Sequence, residues 1–258
     1  MNRKEQTLDL AIRAAFMVAI YVAFAIALPS YHTVAGMAAI IDGAVLIGLT
    51  ALGIGITMLA AEFDLSVGSL AAVVGVLTIN LVIGDMGMIP AILIAVAVAA
   101  IFGAAQGLVI ALTGINSLVF TIGTLIGLRG LALIISNENS VTVPIARLAE
   151  TDFLAVRVLG VLSPMSITMF VVFVAVGLFL RYTVWGREIF AIGGGRAEAR
   201  AAGVSIVRPM VIAFALSATL AGLARGLLSV RPGSATPPRF HTPLFSPVPA
   251  RPPPRTPL

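Results

Sequence analysis

Two stretches of this chain gather side chains whose types and spacing could do chemistry. Glu62-Phe63-Asp64-Leu65-Ser66-Val67-Gly68-Ser69 sets two carboxylates two positions apart, with two hydroxyls close behind, between long apolar runs. Ionisable groups in such a setting are costly and read as functional. A local use is also open: Asp64 accepts free backbone N–H groups at the start of the next helix, and Ser66 adds to the cap. The second stretch, Trp185 to Val204, reads as short helix, glycine break, short helix, Ala-rich and surface-charged. Such an element can lie on a membrane face and press into a partner's groove. It lacks the apolar stripe of an interfacial amphipathic helix, and an ordinary positive loop is the plain alternative.

Single polar residues inside apolar runs form a third group. Asn80, Gln106, Asn116, Thr121, Thr124 and Arg129 are the side chains most able to face a hydrophilic path, because amides and hydroxyls can replace a solute's hydration with direct hydrogen bonds. Hydrogen bonding between helices explains membrane Asn, Gln and Thr equally well, and Arg129 can reach the outer surface. Trp185, beside Tyr182, reads as an interfacial anchor and not as a stacking platform.

Several chemistries are excluded. With no cysteine there is neither a disulfide nor a thiolate metal site. His32 and His241 have no companions at metal-ligand spacing, so no metal is expected. No nucleophile and base, and no metal set, cluster as an intramembrane enzyme would need, so neither catalytic residues nor a cofactor are expected. Lys4 is the only lysine, which rules out a phosphate-binding loop ending in Gly-Lys-Ser or Gly-Lys-Thr. The net charge of +5 and pI near 10.7 suggest nucleic acid at first sight, but the arginines sit at helix ends and in one loop without interleaved aromatics. Membrane topology explains them, and no nucleic-acid partner is expected.

The elements that position these residues follow from composition. Soluble domains keep about a quarter of their residues charged. Here the charged fraction is 10%, the apolar fraction 59% and the mean hydropathy +1.09. The expected fold is all-α, a polytopic transmembrane helix bundle of about seven spans. The apolar runs are Leu10 to Leu28, Met37 to Ala61, Val67 to Ile83, Ile89 to Leu112, Leu118 to Ile135, Pro164 to Leu180 and Pro209 to Leu228. The first resembles a signal peptide but has no convincing small-residue cleavage site, and reads as a retained helix.

A cytoplasmic N-terminus puts Arg3, Lys4, Arg13, Arg181, Arg187, Arg196, Arg200 and Arg208 inside, against Arg147 and Arg157 outside, as the positive-inside rule requires. Asp42 then lies near the outer start of the second span, where helix capping is its expected use. Gly103/Gly107, Gly123/Gly127 and Gly222/Gly226 have the small-xxx-small spacing of close helix contacts, a spacing that abundant glycine also yields by chance. From Pro238 onward the chain is dense in proline, with Arg239, Arg251 and Arg255, and cannot form a membrane helix. The expected organisation is a transmembrane domain over 1–230 and a disordered Pro/Arg-rich tail over 231–258.

From Leu10 to Pro237 the chain resembles the permeases of ATP-binding-cassette importers for ribose and related monosaccharides, within the group that includes branched-chain amino-acid permeases. The sharpest match is Asp64-Leu65-Ser66-Val67-Gly68-Ser69, the sugar-type signature. Phe120-Thr121-Ile122-Gly123-Thr124, Arg129-Gly130-Leu131-Ala132 and Gln106-Gly107-Leu108 are similar to further family segments. Gly186-Arg187, Ala191-Ile192-Gly193-Gly194 and Ala201-Ala202-Gly203 look like the loop that couples such a permease to its ATPase subunit. The resemblance implies a multi-pass permease of the cell inner membrane, in contact with lipid and with a second permease subunit. Separate ATPase subunits would hydrolyse ATP, and a periplasmic sugar-binding protein would deliver a ribose- or xylose-like sugar.

The chain also departs from the family pattern. Asn116-Ser117 stands where proline is common, Gly195 where asparagine is usual, and Arg225 where glycine is usual. A guanidinium at the centre of a span costs about 2.5–3.5 kcal/mol on insertion scales, less if it snorkels. Family members continue through further helices after the stretch matching Ser229 to Pro237, so the chain reads as truncated relative to the family. A frame shift near Pro237 would account for this, and the neighbouring reading frame of the gene would then encode Gly-Gly-rich helices. Two alternatives stay open: a permease of another small solute in the same group, and an ion-coupled secondary transporter, which needs carboxylates buried in its spans; Asp42 alone comes close.

Overall fold

The computed structural model describes residues 3–28, 30–144, 147, 150, 156–158, 160–230 and 234–236. The proline-arginine tail from Pro238, with His241, Arg239, Arg251 and Arg255, lies outside the described residues, as does part of the stretch between Ser136 and Ser163. The fold is an all-α helix bundle. Its elements are α1 (Arg3–Ala27), α2 (Val34–Leu59), α3 (Val67–Ile83), α4 (Met88–Thr113), α5 (Ser117–Ile135), α6 (Pro164–Tyr182), α7 (Val184–Gly194), α8 (Arg196–Ala201) and α9 (Val207–Val230). Two residues on each of two segments, β1 (Val141–Thr142) and β2 (Ser234–Ala235), pair antiparallel, Val141 opposite Ala235.

Among the described residues five helices, α2, α4, α5, α6 and α9, are long and apolar enough to cross a membrane. Two of the seven expected spans are shorter: the apolar part of α1 runs Ala11–Ala27, and α3 has only 17 residues. The apolar part of α1 is exposed at Phe16, Met17, Val22, Phe24 and Ile26, a surface suited to lipid.

Helix ends are set by local chemistry. Thr33 caps α2 by accepting from Gly36 N, and Asn116 caps α5 by accepting from Leu118 N and Val119 N. Ser163 and Ser166 form a reciprocal capping box at α6, with Pro164 in the first turn. Gly114, at φ 71°, ends α4 in the left-handed conformation that glycine adopts without strain.

The centre of the bundle is α9, which packs against α2, α3 and α4. Glycine makes those approaches possible. A Cβ on Gly53 would come within 2.9 Å of the Ser217 carbonyl oxygen, and one on Gly107 within 2.8 Å of the Met210 carbonyl oxygen. At Gly103 a side chain would run into Phe214 and Ala218, while Gly222 rests on Ala99 and Gly226 on Ile92. Two of the three small-xxx-small pairs therefore form the α4–α9 contact, Phe214 at its middle fully buried. The third pair, Gly123/Gly127, has open space where its side chains would be.

The acidic residue of α2 has a different use from the one its position suggests. Asp42 is buried two turns inside the helix and accepts from Arg157 Nη2 at 2.9 Å and Ser163 Oγ at 2.5 Å. The cap is already supplied by Thr33, so Asp42 instead ties the segment before α6 to α2. Similarly, Arg147 donates to the carbonyl oxygens of Val82 and Met86, a cation placed where the end of α3 carries partial negative charge.

Gly103→Leu is expected to overpack the α4–α9 contact and destabilise the fold by at least 1–3 kcal/mol, the usual range of ~1–3 kcal/mol for overpacked cores. Gly123→Ala and Gly127→Ala should leave the melting temperature within a degree or two, as thermal unfolding followed by fluorescence-detected size exclusion would show.

Candidate functional site: an extended segment held by side chains

Between α2 and α3 the chain leaves helical geometry and has neither helix nor strand from Glu62 to Leu65. α2 ends in a Schellman arrangement, with Ala61 N donating to Met58 O and Glu62 N to Thr57 O. The left-handed residue that this turn requires is Ala61, φ 58°, where glycine is usual. Beyond it, burial alternates as in a strand: Glu62, Asp64 and Ser66 are buried, whereas Phe63 and Leu65 are exposed. The polar side chains face the protein and the apolar ones face outward.

Extended backbone cannot satisfy its own N–H and C=O groups, and lipid offers no partners. Here side chains of α5 do so. Phe63 N donates to Ser117 Oγ at 3.1 Å, Leu65 N donates to Thr121 Oγ1 at 3.2 Å, and the Thr121 hydroxyl lies 3.3 Å from the Phe63 carbonyl.

Asp64 is the hub of the segment. Its Oδ1 accepts from Ser66 N at 3.0 Å, Ser66 Oγ at 2.6 Å and Gln106 Nε2 at 3.2 Å, and its Oδ2 lies 3.5 Å from Ser217 Oγ. The local capping use is therefore too small a role: Ser66 makes no side-chain cap to α3, and Asp64 joins the segment to α4 and α9. Gln106 stands seven residues before the end of α4, about 10 Å in along its axis. The segment thus enters the bundle from the end that carries α7 and α8.

At that end α6 passes directly into α7 through Thr183, which closes one helix and caps the other. Gly195 separates α7 from α8, so the expected helix, glycine break, helix is what the chain forms. Gly203, at φ 81°, ends α8 in a second Schellman turn, with Gly203 N donating to Arg200 O and Val204 N to Ala199 O. Of the eight residues expected in a coupling loop, Gly186 and Gly193 turn inward. Gly186 packs on the Leu180 backbone and Gly193 on the Leu59 carbonyl and Ala60. Ala191 is half-buried, whereas Arg187, Gly194, Ala201, Ala202 and Gly203 are exposed. Trp185 lies under the Arg208 guanidinium, 5.3 Å from ring centroid to Cζ.

The six polar candidates for a solute path do not converge. Gln106 and Thr121 belong to the Asp64 cluster, and Thr124 donates to Thr121 O in its own helix. Asn116 caps α5 and lines a polar cavity of about 530 Å³ with Glu62, Phe63, Ser117 and Arg196. Asn80 donates to the Ile135 carbonyl at 3.1 Å, and Arg129 is half-buried on the same helix as Ile135.

A larger cavity of about 600 Å³ lies between α2, α3 and α9, lined by Thr50, Ile54, Gly68, Ala72, Arg225 and others. It contains none of the six. Arg225 reaches towards Thr236 O at 3.5 Å, while its Nε and the Ser229 hydroxyl are buried against Gly75 without hydrogen-bond partners among the described residues. Sequence reading passed over Ser217, and named Ser117 and Arg196 without these contacts. Ser117 is signalled only by its place next to a helix cap, and Ser217, 153 positions from Asp64, carries no local signal.

A bundle of long apolar helices that expose apolar side chains around their outside is the architecture of a multi-pass membrane protein. A family model described as "Branched-chain amino acid transport system / permease component" matches residues 36–247, and the chain belongs to that family. It is 30% identical over 211 residues to the ribose import permease protein RbsC of Escherichia coli (strain K12), covering 81% of this chain and 65% of that one. It is 32% identical over 181 residues to the D-allose transport system permease protein AlsC of the same strain, covering 70% and 55%. To that strain's L-arabinose transport system permease protein AraH it is 31% identical over 225 residues, covering 84% and 66%. No solved structure matches the chain.

Thr121→Val should lower stability by about 1–3 kcal/mol, the cost of an unsatisfied buried donor, and more than Thr124→Val, whose hydroxyl bonds only within its own helix. Ala61→Gly should raise stability by about 1 kcal/mol by relieving the left-handed alanine. Thermal unfolding in detergent checks both.

Proposed function

We propose that the chain is the membrane-spanning permease subunit of an ATP-binding-cassette importer, carrying a monosaccharide across the inner membrane with its N-terminus in the cytoplasm. The observation that carries this reading is the α7–α8 element: two short helices at one end of the bundle, anchored through Gly186 and Gly193 and exposing Arg187, Gly194, Ala201, Ala202 and Gly203. Such a surface suits a docked ATPase subunit. The names of the relatives, for ribose, allose and arabinose import, support a sugar of that size. The crowding of Arg181, Arg187, Arg196, Arg200 and Arg208 around this element supports its cytoplasmic side.

On this reading residues 1–230 are the transport domain and pair with a second permease subunit, and a periplasmic binding protein delivers solute to the opposite end. The route then passes the Asp64 signature loop, with Gln106 and Thr121 the members of the polar set nearest to it. Asn80, Asn116, Thr124 and Arg129 are the remaining candidates for solute contacts.

The anchoring glycines and the exposed alanines separate fold from coupling. Ala201→Glu should leave the melting temperature unchanged and reduce ATP-driven sugar uptake at least tenfold in vesicles that also hold a cognate ATPase subunit and sugar-binding protein. Gly193→Leu should instead unfold the α2–α7 contact. Uptake that survives Ala201→Glu, or that an ionophore abolishes while ATP is present, would refute the proposal.

A further inference from the structure

Arg196, the first residue of α8 after the Gly195 break, forms an ion pair with Glu62, the first buried residue of the extended segment. The two are 134 positions apart. Three residues earlier, Gly193 rests on the last carbonyl of α2, at Leu59. The helix pair therefore touches the exit of α2 at two points: a close backbone approach and an ion pair.

Glu62 is placed to pass on what happens there. It lies between the left-handed turn at Ala61 and Asp64, and an extended chain advances only about 3.3 Å per residue, so a shift at Glu62 is felt at Asp64 about 7 Å away. Asp64 in turn holds Ser66, Gln106 and Ser217. The segment has no helical hydrogen bonds of its own to resist such a shift; it is seated by Ser117, Thr121 and this carboxylate cluster.

The pair is unequal in burial. The side chain of Glu62 is 6% exposed and that of Arg196 is 40% exposed, and both line the polar cavity of about 530 Å³. Glu62 is thus a desolvated carboxylate whose countercharge comes from an element that can be moved from outside. Withdrawing Arg196 leaves the carboxylate buried and unpaired, a costly state, and that cost favours release of the segment.

We infer that Glu62 and Arg196 are positioning residues forming a latch, which seats the Asp64 segment when α8 is in the observed place and frees it when α8 is displaced. The transport part of this inference rests on the importer reading above; the latch itself does not.

The chain has no cysteine, so one introduced thiol can report on the segment. Val67 begins α3 directly after the segment and is 1% exposed. In a Val67→Cys chain in lipid nanodiscs, the thiol should react slowly with a water-soluble maleimide. Glu62→Gln and Arg196→Gln should each speed the reaction at least tenfold, and the two together no more than either alone. The exchanged pair Glu62→Arg with Arg196→Glu should return to within about threefold of the parent. Unchanged rates in the single variants, or additive effects without rescue by the exchange, would overturn the latch.

With ATPase and binding protein added, Glu62→Gln should increase ATP hydrolysed per sugar imported at least fivefold, while Arg196→Lys stays near the parent value. A parent chain without ATP-driven uptake, in which thiol protection still follows the ion pair, would refute the importer reading and leave the latch standing. Normal ATP use per sugar in Glu62→Gln would refute its role in coupling.

Discussion

A stretch of extended backbone inside a lipid-exposed bundle must find every hydrogen-bond partner within the protein. The segment from Glu62 to Leu65 draws partners from side chains of other helices: Ser117 and Thr121 for the N–H groups of Phe63 and Leu65, and Gln106 and Ser217 around Asp64. The rest of the arrangement follows. α5 must present two hydroxyls one turn apart, and α4 and α9 must come close enough for an amide and a hydroxyl to meet one carboxylate. Gly103, Gly107 and Gly53 supply that closeness, because any larger residue there would collide with α9.

The two ends of the bundle solve the problem of charge in the same way. Asp42 and Glu62 are both buried carboxylates, and each is paired with an arginine from a distant non-spanning stretch, Arg157 and Arg196. Each pair fastens such a stretch to one end of α2. Removing one partner of a buried pair costs more than the pair contributes, so both contacts act more as specifications of geometry than as sources of stability. The difference is what they fasten: Arg157 fixes the segment leading to α6, whereas Arg196 belongs to a helix with an exposed face.

Much of the architecture was legible in the residues. Apolar run lengths located the helices, because a mainly apolar run of about 20 residues has few alternatives to spanning. The short α3 was also visible, though the reason for its length was not: its start is set back by the extended segment. The period-two alternation of Glu62, Phe63, Asp64, Leu65 and Ser66 is present in the sequence as polar and apolar residues in turn. It reads as a strand-like piece only once the outside of the protein is known to be apolar. Glycine spacing identified three candidate contacts and could not say which were real, since spacing is a property of one helix and contact a property of two.

By itself the sequence determined the class of protein, the positions of its helices and the two stretches that gather charged and polar side chains between them. These depend on composition and on neighbours within a few residues. Tertiary structure alone decided that Asp64 joins its segment to α4 and α9, that Glu62 meets Arg196, that Gly193 packs on the end of α2, and that Arg225 turns towards a cavity. Each of these depends on how helices far apart in the chain are rotated against one another. That rotation is set by the sum of many small packing contacts and by the few polar groups that must find partners in a medium that offers none.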